Sequence, residues 1–207
     1  MTIVLLALPL YWTVVSSLTP DQRLFAAPSL IPHDLTLDHY RALFEQRDFW
    51  RPIRTSLVVA TATTALSVAL GAACAYALAR LPFPGRGAAL AFVLGVSMFP
   101  QISIVSPLYM LLRYLHLLNT YPGLVLPYLT FAMPLTIWLL VGFFRQLPPG
   151  LEEAAFLDGA GRLRTLWEIV LPIAAPGLAT TAILTFLYSW NEFLFALSFT
   201  LGPERYT

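Results

Sequence analysis

The chain has 207 residues, 58% hydrophobic and only 11% charged, with a mean hydropathy of +0.73, which excludes an ordinary soluble domain and points to a membrane protein. All 12 basic residues are arginine, so a P-loop lysine and a Schiff-base lysine are excluded, and any ATP used is bound by another subunit. A net charge of +1 gives no reason to expect nucleic acid, and the single cysteine, Cys74, permits no intrachain disulfide.

Ile3 to Leu18 is apolar but short for a span, and Met1 opens it without a basic flank. Residues 1–18 read as a first transmembrane helix clipped at its cytoplasmic end, with a cleaved signal as the alternative. Residues 19–52 read as a loop outside the membrane. Five acidic and five basic residues lie between Thr19 and Arg54, and Pro20, Pro28 and Pro32 leave room for at most a short helix around Leu37 to Gln46. The run HDLTLDH sets His33 and His39 beside Asp34 and Asp38. With no third ligand at a recognised spacing, the histidines read as solvated side chains rather than a metal site.

Three apolar runs follow, Leu57 to Ala79, Ala88 to Leu112 and Tyr121 to Phe144, each reaching the roughly 20 residues that cross a bilayer as a helix. The first is rich in Ala, Gly, Ser and Thr, which favours close packing, so it is expected to be a buried helix. Pro100 and Pro107 in the next run, and Pro127 and Pro134 in the one after, free carbonyls that only neighbouring protein or a water-filled cavity can satisfy. Those two helices are candidates to line a pathway, with Gln101, Ser103 and Tyr109 on one and Tyr128 on the other. For any single residue of this set, a plain interhelical hydrogen bond is the alternative.

Pro148, Pro149 and Gly150 end that run, and Leu151 to Leu157 then offers a short helix with Glu152 and Glu153 in its first turn, where carboxylates suit the helix dipole. Gly159 and Gly161 permit a left-handed backbone and a sharp bend, after which Arg162 to Val170 is expected to form a second short helix stopped by Pro172 and Pro176. This reads as a docking element, not a catalytic site.

The last apolar run extends from Gly177 to about Leu201 and carries Trp190, Asn191, Glu192 and Phe193 in its later half. An ionisable group inside an apolar helix is costly unless it faces a partner or water, so Glu192 is a functional candidate. About 1.5 Å of rise per residue also sets it roughly 22 Å beyond Gly177, where an interfacial position beside Trp190 would serve equally well.

The segment Glu153-Ala154-Ala155, three residues, Gly159, nine residues, then Ile169 with Leu171-Pro172 resembles the cytoplasmic loop of the integral membrane permeases of bacterial binding-protein-dependent ABC importers. The Trp190-Asn191-Glu192-Phe193 run is similar to the sugar-permease branch, in particular the maltose-type partner subunit. Ala75 to Arg80 with Phe83, the Leu118-Asn119-Thr120 turn, and Trp138-Leu139-Leu140 before Gly142-Phe143-Phe144 follow in the same order. Two departures stand out. His116 occupies a place where Gly is usual, and the chain ends at Thr207 without the family's final span, which leaves five of six expected helices.

The resemblance implies an all-α polytopic bundle of the type I ABC importer kind over residues 53–207, with residues 148–172 as a coupling segment lodged in a cytoplasmic ATPase. Its coupling positions are Glu153, Ala154, Ala155, Asp158, Gly159, Gly161, Leu171 and Pro172; the candidate pathway takes Gln101, Ser103, Tyr109, Tyr128, Trp190, Asn191 and Glu192. It implies a multi-pass protein of the bacterial inner membrane, with the coupling loop in the cytoplasm and Thr19 to Pro52 and Thr207 outside. The implied partners are the lipid bilayer, a second permease subunit, an ATPase dimer holding ATP and Mg, and an extracytoplasmic solute-binding protein, with no cofactor in this chain. The implied cargo is a sugar, oligosaccharide or related polyol ester. A permease for another small solute would share the coupling motif but not the Trp-Asn-Glu-Phe run. A membrane-embedded enzyme would need an acid-base pair, nucleophile or metal set, and Glu192 has no His, Asp or Cys near it in sequence.

Overall fold

Helices satisfy their own backbone, the requirement a chain this apolar faces in lipid, and all regular structure among the described residues is helical. The structure, a computed structural model, describes residues 2–23, 35–46 and 49–200. His33, Asp34 and the expected end of the last span at Leu201 lie outside them. Two compact units divide the chain, Met1–Arg51 and Pro52–Thr207.

In the first unit α1 (Thr2–Ser17) contains Pro9, whose carbonyl accepts from Thr13 Oγ1 at 2.9 Å. The loop after it is folded back on the helix end: Thr36 N donates to the Leu18 carbonyl at 2.8 Å and Tyr40 Oη to Ser17 Oγ at 2.7 Å. A short α2 (Asp38–Arg41) runs into a π turn over Ala42–Gln46, inside the range expected for a short helix. His39 is occupied locally, with Nε2 2.9 Å from the Thr19 carbonyl.

α3 (Trp50–Arg80) starts earlier than the apolar run, so the last residues of the expected loop are helical, with Pro52 in the first turn, where no N–H is needed. Its 31 residues measure about 46 Å, longer than a bilayer core of about 30 Å. It is not the buried helix its composition predicts: 33% of its most apolar stretch is buried, against 61% for α6 (Tyr121–Gln146). A small-residue stripe, Thr63, Ser67, Gly71 and Ala75 among it, faces inward between Val59 at one end and Tyr76 and Leu78 at the other, while Leu57, Leu66 and Leu70 point out. A Cβ on Gly71 would stand 2.7 Å from Thr136 Cγ2 of α6, and one on Gly177 would meet the Phe143 ring at 2.5 Å. Small residues on its neighbours let α6 sit at the centre. Its Pro127 and Pro134 are buried against protein.

The run Ala88 to Leu112 is not one continuous helix. It is two helices, α4 (Arg86–Ser97) and α5 (Gln101–Tyr114), bent 89° apart at Met98-Phe99-Pro100. Pro100 is extended (φ −67°, ψ 121°) and disfavours helical geometry in Phe99 before it, a break that hydropathy alone does not register. The last run is likewise broken: α10 (Ala175–Trp190) stops before Asn191, and a separate α11 (Leu194–Phe199) follows Phe193. Among the described residues α3 and α6 can each cross a membrane alone by length and composition, and the count rises to four when α4 with α5, and Arg162–Ile173 with α10, are each taken as one bent span.

Side chains pack in two clusters at opposite ends. One joins Ala75, Tyr76, Leu140, Phe144, Leu166 and Val170, where α3 and α6 finish; the other joins Val59, Leu124, Tyr128, Phe131, Phe195 and Phe199, where they begin. Between them Thr136 and Thr185 meet hydroxyl to hydroxyl at 3.0 Å, tying α6 to α10.

Candidate coupling site and translocation cleft

At the end where α3 and α6 finish, α7 (Gly150–Leu157) stops on Gly159. The Ala160 N–H reaches the Ala155 carbonyl at 2.9 Å and the Gly159 N–H the Phe156 carbonyl at 3.1 Å, the paired bonds of a Schellman stop with Gly159 at φ +80°. Gly161 differs from the sequence expectation. It is extended (φ −75°, ψ 164°) and serves as the residue before α8 (Arg162–Thr165), so the left-handed bend rests on Gly159 alone. α8 continues through a π turn, Leu166–Val170, into α9 (Leu171–Ile173). Pro172 therefore does not stop it; the wider π turn precedes the residue that lacks an N–H. The chain turns 81° at Ala174, and Pro176 sits in the first turn of α10, starting a helix rather than ending one.

The helical repeat decides what this segment presents. Glu152 and Ala155, three apart, turn inward, and Ala155 is only 4% exposed, so it packs within the chain instead of receiving a partner. Glu153, Ala154, Asp158, Gly159, Gly161 and Pro172 are exposed, while Leu171 is half-buried. Large apolar side chains join them on the surface: Leu157 is 89% exposed, Leu163 74% and Trp167 63%. Arg164 Nε donates to Glu168 Oε2 at 2.8 Å, a hydrogen bond that, with the carboxylate's charge, raises the guanidinium's pKa further.

Sequence reasoning missed the group that anchors this segment. Arg80, the last residue of α3, donates from Nη2 to the Leu147 carbonyl at 2.5 Å, and its Nε stands 3.1 Å from Glu152 Oε1. The Nε–H is not aimed at that oxygen, so the second contact is ionic rather than a hydrogen bond. Tyr76 Oη lies 3.5 Å from Glu152 Oε2. A lone Arg closing a long apolar run was the available signal, but which of two adjacent glutamates it meets depends on the rotation of α7.

At the opposite end, a cleft of about 660 Å³ opens between the start of α5 and the break after α10, lined by Gln101, Tyr188, Asn191 and Glu192 with Leu184 and Leu187. Gln101 Nε2 donates to Tyr188 Oη at 2.5 Å across it, and Asn191 Nδ2 to the Leu187 carbonyl at 2.7 Å. Glu192 is not a mid-helix charge. Its carboxylate accepts from the Phe195 N–H at 3.0 Å and the Ala196 N–H at 3.3 Å, capping α11 at the end where negative charge suits the dipole. Behind the break, a 130 Å³ cavity touches Ser56, Tyr128, Ser189 and Trp190, and Tyr128 Oη donates to the Glu192 carbonyl at 3.2 Å. Ser103 is exposed away from both spaces, and Tyr109 packs into the side-chain cluster around Phe195. Of the expected pathway residues the cleft brings together Gln101, Asn191 and Glu192, and it adds Tyr188.

Residues 67–204 match the family described as binding-protein-dependent transport system inner membrane component. The chain belongs to that family. As an inner membrane component it is similar to the trehalose transport system permease protein SugB of Mycobacterium tuberculosis, 44% identical over 200 residues that cover 97% of this chain and 73% of the relative. It is 40% identical to the trehalose/maltose transport system permease protein MalG of Thermococcus litoralis over 201 residues, 96% of this chain and 72% of that one. In fold it matches a chain from the crystal structure of a bacterial ABC transporter involved in the import of the acidic polysaccharide alginate, with a TM-score of 0.82 at 23% identity over 99% of this chain and 72% of the other. These likenesses make the inner membrane component a transport permease of the sugar-permease type, with the all-α fold of an ABC importer membrane domain.

Proposed function

We propose that this permease moves a sugar, an oligosaccharide or a related polyol ester inward, paired with a second permease, driven by a cytoplasmic ATPase dimer that holds ATP and Mg, and fed by an extracytoplasmic binding protein. The observation that carries the reading is the exposure of this segment: Glu153 and Leu157 on α7, Leu163 on α8 and Trp167 in the π turn after it are all exposed, on a segment anchored on the ends of two long helices. Large exposed apolar side chains rimmed by charge are the composition of a docking surface. ATP-driven closure of the partner displaces α7 as a unit, and the broken helices at Met98 to Pro100 and Asn191 to Phe193 supply places where the spans repack. No bond in the cargo is made or broken.

The cleft supports a polyhydroxyl cargo over an ion. Its polar lining offers amide and phenol groups, and the one carboxylate is held by backbone N–H groups of α11. The relatives named for trehalose and maltose transport favour the same class. A permease for another small solute is the second reading; radiolabelled sugars offered to the associated binding protein discriminate the two.

The decisive experiment reconstitutes the full complex with its binding protein in proteoliposomes and follows uptake and ATP hydrolysis side by side. Glu153→Ala removes an exposed carboxylate, and Gly159→Val places a β-branched residue at φ +80°. Each is expected to lower uptake about tenfold while the complex still assembles, the size of a coupling lost at one interface. Wild-type uptake in both variants would reduce the segment to a linker.

A further inference from the structure

Between α6 and α7 the chain passes through Leu147, Pro148 and Pro149. Two successive prolines carry no N–H, so they cannot donate a backbone hydrogen bond that holds α7 at the angle at which it leaves α6. Arg80 holds both sides of this junction at once. Its Nη2 donates to the Leu147 carbonyl before the prolines, at 2.5 Å, and its Nε lies 3.1 Å from Glu152 Oε1 after them. The two side chains are 11% and 13% exposed.

An ion pair this far from solvent is a poor source of net stability, because desolvating both charges offsets most of their attraction. Geometry is what it provides. A planar guanidinium can donate to the Leu147 carbonyl from Nη2 while its Nε edge sets the positive charge against the Glu152 carboxylate, so one rigid side chain spans both, and the carbonyl at the end of α6 is where the helix dipole favours a cation. Arg80 also ends α3, whose small-residue stripe lies directly against α6 at Gly71 and Thr136.

We propose that Arg80 and Glu152 are positioning residues for energy coupling: they fix the angle between α6 and α7 and carry displacement of α7 into α3. This rests on the reading of α7 as the docking element. It adds that force enters the bundle through a side-chain bridge to α3 as well as along the chain into α6.

The test uses the full reconstituted complex and reads ATP hydrolysed per solute transported. Arg80→Lys keeps the charge but replaces the fork with one ammonium, and Glu152→Gln keeps shape while removing the charge. Both are expected to raise the ratio about tenfold, with the yield of assembled complex and the hydrolysis stimulated by loaded binding protein within about twofold of wild type. Should Arg80→Lys fail to assemble, Glu152→Gln alone decides. A wild-type ratio in the assembled variants, whatever their yield, overturns the proposal and leaves the pair a structural role. If Glu153→Ala is uncoupled while Arg80→Lys and Glu152→Gln are not, the bridge fails and docking stands; if all three keep the wild-type ratio, both fail.

Discussion

Where α3 and α6 finish, a guanidinium and a carboxylate are kept inside, Arg80 against Glu152, and the chain beyond them projects an exposed helix whose end is set by one left-handed glycine. Where the same two helices begin, the contacts are neutral or backbone-directed: Gln101 to Tyr188, Tyr128 to the Glu192 carbonyl, and Glu192 to the N–H groups of α11. On the proposed reading the first arrangement holds an angle, because one guanidinium spans the Leu147 carbonyl and the Glu152 carboxylate. The second interrupts a helix, so that α11, six residues long, is joined to α10 through Asn191 to Phe193. On the proposed reading, the first end receives the push of the ATPase and the second opens to the solute.

The largest effect that this contrast predicts is all-or-none. Arg86, at the start of α4, lies at the charged end, and Leu115, after α5, at the other. With Cys74→Ser as background, Arg86→Cys is expected to react with a membrane-impermeant thiol reagent only from the cytoplasm, and Leu115→Cys only from outside. Reaction of both from one side would mean that the bent pair α4–α5 enters and leaves by the same face.

A smaller, local effect separates the two ends by amide exchange. Glu192→Ala removes the acceptor of the Phe195 and Ala196 N–H groups, a cap whose loss costs about 0.5–2 kcal/mol. Protection at those amides should fall by roughly 2- to 30-fold while that of α7 stays unchanged. Glu192→Gln, still an acceptor, should fall less. Equal loss in both variants would assign the effect to charge rather than to the cap.

Much of this was legible in the residues. Run length and apolarity place α3 and α6, and the Gly159 stop follows from the residue type, since few others accept φ +80° without strain. The 89° bend was not, because Met98, Phe99 and Pro100 are as apolar as their neighbours, and a proline in a membrane helix can kink, break or, as Pro107 does here, simply continue. Pro172 misled for the same reason. Glu192 was legible as a costly charge, but its use as a cap depends on a break that composition does not carry. The inward turn of Glu152 and the outward turn of Glu153 differ by one residue's rotation, and only packing against Arg80 settles which is which.

The smallest effect concerns the stop at the end of α5. There the Leu117 N–H reaches the Leu112 carbonyl at 2.8 Å and the His116 N–H the Arg113 carbonyl at 3.1 Å, the same paired bonds that end α7, but the left-handed residue is His116 at φ +56°. This explains why a histidine is out of place in a position that Gly suits. A side chain in that region costs about 1–2 kcal/mol, and the extra freedom of Gly in the unfolded chain returns about 0.4–1 kcal/mol of it. His116→Gly should therefore stabilise by about 0.5 kcal/mol and raise the melting midpoint of the purified complex by about 1–2 °C. Gly159→His, the reverse change in the matching position, should lower it by a similar amount. A fall in both variants would show that the His116 side chain makes a contact worth more than its backbone strain, and the two stops would then differ in purpose as well as in residue.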